Sequence, residues 1–300
     1  MINFKPAVEG SGFYMDGYYV WCGSVVKEDG MYYMFASRWK RELGFPQGYM
    51  RGSEIVLAKT DDLSKPFEFE RVIISARDKS FWDGTMAHNP CIVKTSSGYV
   101  LYYIGSSDGS KEKRSIGYAT SNSVLGEWKR SEKPIALPPD ANNPSVVEDG
   151  SGGVLLYYRD GDLKVSVARS ESFFGKFDTV ACDLFPKGRI EDMFVFKCNG
   201  CYKMICEDAD GVFTGLKKGG VVFSSQDGII WDESSAQAFY GFDIEYNSGK
   251  CLRLQRRERP VLFKDGANYY LFTAAKYGGN SVLEGGYSLN LLQEVFFDEW

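Results

Sequence analysis

The 300-residue sequence predicts an all-β chain, a five-bladed β-propeller with four-stranded antiparallel blades around a central channel. Three observations carry this. Aromatic residues make up 15% of the chain, with 19 Tyr and 21 Phe beside 33 Gly, a mix that favours strands joined by tight turns. One phrase (apolar strand, Gly-bearing turn, aromatic-rich second strand) occurs five times. Its copies begin at residues 22, 89, 143, 192 and 259, so the spacings of 67, 54, 49 and 67 are those of propeller blades. A β-sandwich would need alternating strands but no repeated four-strand phrase.

The copies run from Cys22 to Phe35, Asn89 to Tyr103, Asn143 to Tyr158, Asp192 to Ile205 and Arg259 to Phe272. Asp29-Gly30, Asn199-Gly200 and Asp265-Gly266 supply the positive φ that two-residue hairpins require. Third strands follow at Ile55–Thr60, Ile116–Thr120, Val165–Arg169 and Val221–Ser225, with a weaker fifth near Ser281-Val282-Leu283. Short fourth strands carry an aromatic: Phe67, Trp128, Phe177 or Trp231. The blades span roughly 12–75, 80–137, 138–186, 187–240 and 250–300, and residues 1–300 read as one domain. The terminal segments are expected to complete or cover the last blade, because a bare edge strand invites aggregation.

Composition narrows the function. A net charge of −5 lacks the basic face that nucleic acid requires, and no run of eighteen apolar residues offers a membrane span. No secretory leader is evident at the N-terminus, so a cytoplasmic protein with seven reduced cysteines is expected. Cys198 and Cys201 straddle an Asn-Gly turn and have no second ligand pair, which reads as a hairpin and not a zinc site.

In a propeller the first strand of each blade lines the channel. Aligning the copies therefore brings Trp21-Cys22, His88-Asn89, Asn142-Asn143, Glu191-Asp192 and Glu258-Arg259 to one mouth. Strand alternation would let only one residue of Glu191-Asp192 point in a given direction. Acids beside tryptophan suggest sugar chemistry: aromatic faces meet the apolar faces of pyranoses, and two carboxyl groups divide the acid and base roles. Trp21 and Trp82 are candidate sugar platforms, and Arg38, on the segment from Ser37 to Arg51 that could fold over the mouth, is a candidate substrate ligand. Glu258 could instead be held in an ion pair by Arg257 or Arg259.

These residues resemble the five-bladed glycoside hydrolases of families 43, 62, 32, 68 and 117. Ile190-Glu191-Asp192-Met193 falls where family 43 carries the Glu-Gly-Pro of its general acid, which implies that role for Glu191. Where family 43 has the Asp-Pro of its base, this chain reads Cys22-Gly23, and Asn143 replaces the third-blade Asp that tunes the acid. Asp16 is then the nearest candidate base and Asp83 the next, with Asp192, Glu258, His88, Arg259 and Asn143 tuning or holding substrate. Arg257-Glu258-Arg259-Pro260 looks more like family 117, whose acid is a histidine, although no motif carries that role onto His88.

The resemblance implies hydrolysis of a terminal sugar from an oligosaccharide, with inversion and without a required cofactor; some relatives carry calcium in the channel. Two rivals stand beside it. A phosphorylase like those of family 130 is echoed by Glu191-Asp192 but would need a cationic cluster for phosphate. A carbohydrate-binding propeller without catalysis is suggested by Cys22 and Asn143.

Overall fold

The computed structural model describes residues 2–278 and 286–297. Five four-stranded antiparallel sheets follow one another along the chain as the blades of a propeller. Blade I contains Tyr18–Glu28, Met31–Lys40, Glu54–Thr60 and Glu68–Ile74; blade II contains Met86–Thr95, Gly98–Ser106, Arg114–Ser121 and Lys129–Arg130. Blade III is built from Asn142–Glu148, Val154–Arg159, Val165–Ser170 and Asp178–Ala181, and blade IV from Ile190–Cys198, Cys201–Asp208, Gly219–Ser225 and Asp232–Ala238. Blade V takes Arg256–Asp265, Asn268–Tyr277 and Tyr287–Phe297, and its outer strand is the N-terminal Ile2–Phe4, paired with Val295–Phe297. The N-terminus thus completes the last blade, as edge protection requires. A small ribbon, Asp243–Glu245 with Cys251–Arg253, links blades IV and V.

The third strand of blade V is Tyr287–Phe297, later than the sequence placed it; Ser281-Val282-Leu283 lie outside the described residues. In blades I to IV the aromatics assigned to the fourth strands stand just before them.

Why the second strands are largely apolar on both faces follows from what those faces meet. In blade II, Leu101 and Tyr103 pack toward blade I with Phe35 and Leu57, while Val100 and Tyr102 pack toward blade III with Leu156 and Tyr158. Alternate side chains face opposite sides, so a strand between two neighbours must be hydrophobic on both. Similar clusters fill the interfaces III–IV, IV–V and V–I.

One irregularity repeats in all five blades. The register of the first strand against the second slips by one residue after Trp21, His88, Asn142, Glu191 and Glu258. The residue that follows each is left-handed: Cys22 (φ 56°), Asn89 (54°), Asn143 (55°), Asp192 (61°) and Arg259 (54°). This is a β-bulge, which bends a strand and re-aims its side chains. Proline follows in three blades (Pro90, Pro144 and Pro260), where the broken ladder needs no donor. In blade I the next residue is Gly23, whose amide donates to Asn290 Oδ1 at 2.8 Å; a Cβ there would come within 2.9 Å of Asn290 and Met34.

Candidate active site

The bulges decide what the channel mouth presents. Two successive residues of each inner strand reach the same end of the channel, where a regular strand would have aimed only one. Glu191 and Asp192 therefore both line the cavity, contrary to the alternation expected from sequence, and so do His88-Asn89, Asn142-Asn143 and Glu258-Arg259.

The five left-handed residues form a hydrogen-bonded chain around the axis. The Cys22 thiol donates to Asn89 Oδ1 (2.8 Å), Asn89 Nδ2 to Asn143 Oδ1 (2.7 Å) and Asn143 Nδ2 to Asp192 Oδ1 (2.7 Å). From the other side Arg259 donates its backbone amide to Asp192 Oδ2 and its Nη1 to Oδ1, both at 3.2 Å. Every donor points along the chain toward Asp192, which accepts three bonds, and aligned bonds of this kind reinforce one another. Burial pushes the Cys22 thiol well above its ordinary range, so it is a donor and not a thiolate nucleophile.

Above this floor lies a cavity of about 260 Å³. One wall is aromatic: Trp21, Trp39, Phe45 and Tyr49, the last two from the turn-rich segment after Lys40. Trp39 stacks on Phe45 at 5.9 Å, and Tyr49 stacks on the His88 ring at 4.5 Å. His88 also meets Ser53 Oγ through Nδ1 (2.8 Å), and burial, followed by Arg259 and Arg114, holds it neutral, well below its usual value. Its ring forms part of the cavity wall.

The opposite wall is charged. Glu191 is ion-paired with Arg159 at 2.8 Å. Glu258 is mostly buried and bonded by Arg256 Nη1 at 3.1 Å; burial and then the Asp192 charge raise its carboxyl above the usual range. Deeper still is Glu207, on the second strand of blade IV, with Lys218 Nζ at 2.9 Å from one oxygen and, among the described residues, no partner for the buried other. Burial, then Glu258, then Asp192, push Glu207 up to about 9.

Oxygens of Asp192, Glu207 and Glu258 lie within 4.8 Å of one another, spacing that a cation could use. Each acid has a cation beside it: Arg259 at 3.2 Å from Asp192, Lys218 at 2.9 Å from Glu207 and Arg256 at 3.1 Å from Glu258. Cys198 and Cys201 oppose each other across their hairpin turn, and neither joins a group of metal-ligand residues among those described.

Of the residues singled out in sequence, Trp21, His88, Asn143, Glu191, Asp192, Glu258 and Arg259 meet at the cavity. Four do not. Asp16 is exposed and accepts a bond from the Tyr14 hydroxyl at 2.6 Å. It lies in the turn before the inner strand begins at Tyr18 and does not line the cavity. Asp83 is fully buried inside blade II, bound to Arg77 (2.6 Å), Arg130 (3.5 Å) and the Tyr103 hydroxyl (2.8 Å). Trp82 packs on Tyr103 and over the open faces of Gly105 and Gly117. Arg38 is spent on Glu54 (2.7 Å) and lies over the Tyr18 and Phe69 rings.

Arg257 does not pair Glu258 either; it is buried against Gln293, Thr273 and the Tyr240 ring, and the arginine on Glu258 is Arg256. Sequence reading missed Glu207, Lys218, Arg114, Arg159 and Arg256. Arg159 and Glu207 sit directly opposite Asn142 and Glu191 only because of the bulges; counting register back from each turn without the slip would have put Asp160 and Asp208 there instead.

Compared with protein-family models and with curated proteins, the sequence matches none. The fold matches solved structures over nearly its whole length. A family 117 glycoside hydrolase, Zg3597 of the marine bacterium Zobellia galactanivorans, is similar at 15% identity and TM-score 0.71, covering 98% of this chain and 90% of that one. BT0996, solved in an RGII complex, is similar at 14% identity and TM-score 0.72, covering 99% and 92%. A thermostable family 43 glycoside hydrolase is similar at 14% identity and TM-score 0.64, covering 97% and 93%. At these identities the likeness is one of fold: the chain has the five-bladed propeller scaffold found in glycoside hydrolases of families 43 and 117.

Proposed function

We propose that this protein is a glycoside hydrolase that removes a terminal sugar from an oligosaccharide, with Glu258 as proton donor and Glu191 as the second carboxylate. One observation carries the reading: two glutamates at equivalent bulges of adjacent blades share one cavity in opposed environments. Glu258 is buried beside Asp192, which favours its protonated form; Glu191 is the anionic partner of Arg159. Pairs of carboxyl groups set apart in this way divide acid and base work. The roles first drawn from sequence, Glu191 as donor and Asp16 as base, are revised on that ground.

In this mechanism a sugar ring rests its apolar face on Trp21 and Phe45, in a cavity with volume for a single ring. The Glu258 proton passes to the glycosidic oxygen as the bond to the anomeric carbon breaks. Glu191 takes a proton from a water that attacks the opposite face, and the sugar leaves with inverted configuration. Asp192, held by Asn143 and Arg259, stands near Glu258, where its carboxylate favours return of the donor's proton. The five-bladed scaffold shared with glycoside hydrolases supports the reading as a hydrolase.

A leaving-group comparison tests it. Glu258→Gln should lose about 10²–10⁴-fold in kcat/KM on an alkyl glycoside but far less on a nitrophenyl glycoside, which leaves without a proton. Glu191→Gln should lose similarly on both. Undiminished activity in both variants would end the assignment, and a reversed pattern would return Glu191 to the donor's place. Proton NMR of the first-formed anomer checks inversion.

A further inference from the structure

We infer that the sugar accepted by this cavity is acidic, its carboxylate bound by the guanidinium of Arg256. This rests on the reading of Glu258 as proton donor. Four arginines line the cavity of a chain whose net charge is −5. Each has one acid: Arg114 faces Asp140, Arg159 faces Glu191, Arg259 faces Asp192 and Arg256 faces Glu258. A proton donor must be neutral before it acts. In the state that binds substrate, Glu258 therefore leaves Arg256 without an anion, while the other three arginines keep theirs.

Arg256 is also the arginine placed to reach a ligand. Its side chain is 34% exposed, against 6%, 11% and 9% for Arg114, Arg159 and Arg259. Among the described residues only its Nη1 is bonded, to Glu258, which leaves Nε and Nη2 for a ligand. The guanidinium lies 5.3 Å from the centre of the Phe45 ring, at the edge of the wall where a sugar would stack. A planar fork with two free donors matches a carboxylate carried on that sugar. An inorganic phosphate dianion fits less well, because Glu191 and Asp192 line the same small space and a single unneutralised guanidinium offsets only one charge.

The test is calorimetric binding at pH 6, independent of turnover, with glucuronate and galacturonate against glucose and galactose, and with inorganic phosphate and sulfate as further probes. We expect one hexuronate to bind at least about 10-fold more tightly than its neutral counterpart. The ratio should fall to about 1 in Arg256→Met and to an intermediate value in Arg256→Lys, which keeps the charge but loses the fork. Equal affinity for acidic and neutral sugars, no hexuronate binding up to about 10 mM, or a preference that survives Arg256→Met would overturn the inference. So would Arg256-dependent binding confined to phosphate or sulfate, which would assign the group to a free oxyanion. Hydrolysis of neutral glycosides without hexuronate binding would sink this inference and leave the hydrolase standing; selective hexuronate binding without turnover of any glycoside would do the reverse.

Discussion

Blades III and IV place the same backbone device at the same end of the channel and put different chemistry on it. In blade III the bulge carries Asn142-Asn143, and the opposite residue on the second strand is Arg159. In blade IV it carries Glu191-Asp192, opposite Glu207. The left-handed residues differ by only a few degrees in φ, 55° against 61°. The neutral blade passes hydrogen bonds on, and the acidic one gathers them. The repeat therefore fixes where side chains can stand around the channel, while the residue types on blades IV and V gather its carboxylates on one side of the ring.

The sharpest break of that contrast is Glu258→Gln against Asn142→Ala. The first should cost about 10²–10⁴-fold in kcat/KM on a substrate with a poor leaving group, because it removes a mostly buried glutamate that faces the cavity and whose carboxyl burial and Asp192 raise above the usual range. The second should cost less than about 10-fold, because Asn142 supplies hydrogen bonds and no proton. Steady-state kinetics with circular dichroism as a folding control checks both. Equal losses would mean that the polar ring acts as a unit and that the two sides of the channel are not distinct.

Next in size is a change in pH dependence. Asp192 is the largest cause after burial of the raised Glu258 carboxyl. In Asp192→Asn that charge is gone, so Glu258 should lose its proton at lower pH, and the basic limb of the kcat/KM profile should move to lower pH. A profile unchanged in shape would show that the basic limb belongs to another group.

What could be read from sequence and what could not divide along the same line. The repeated phrase was legible because hairpin glycines and apolar pairs recur at blade spacing. Its starting residues, 22, 89, 143, 192 and 259, are the left-handed residues of the five bulges. The aligned pairs at the mouth were legible too; how both members of a pair such as Glu191-Asp192 face one cavity was not, since it depends on a register slip that no single residue signals. Arg256 and Lys218 were missed for another reason: neither lies in the repeated phrase, and each is marked only by the glutamate it meets, Glu258 two residues along the same strand and Glu207 within the same blade. Asp83 was misread because a buried Asp beside a glycine looks the same in sequence whether it serves a substrate or two arginines.

Glu207 gives a stability signal that the neutral blades lack. An unfolded glutamate loses its proton near 4.5, whereas folded Glu207 keeps it up to about 9. Between those values folding takes up a proton, so this group's contribution falls as pH rises through the window. Glu207→Gln removes the penalty: Tm should rise by at least about 3 °C at pH 8, with the gain shrinking toward pH 4.5. A constant difference across pH would mean that Lys218 keeps Glu207 ionised throughout.

The smallest effect is expected at Asp16, and it bears on whether proximity in sequence to the first bulge means anything for chemistry. Asp16 stands before the inner strand of blade I, in solvent, with Tyr14 as its hydrogen-bond partner; burial and then that carboxylate push the phenol up to about 12. Nothing in this contact reaches Trp21 or the cavity. Asp16→Asn keeps the size of the side chain and an acceptor for the Tyr14 hydroxyl, so kcat/KM should stay within about 2-fold and Tm within about 1 °C. A loss beyond about 10-fold would mean that the segment from Tyr14 to Gly17 folds over the mouth when substrate binds. The acid–base pair would then have to be redrawn across blades I and IV instead of IV and V.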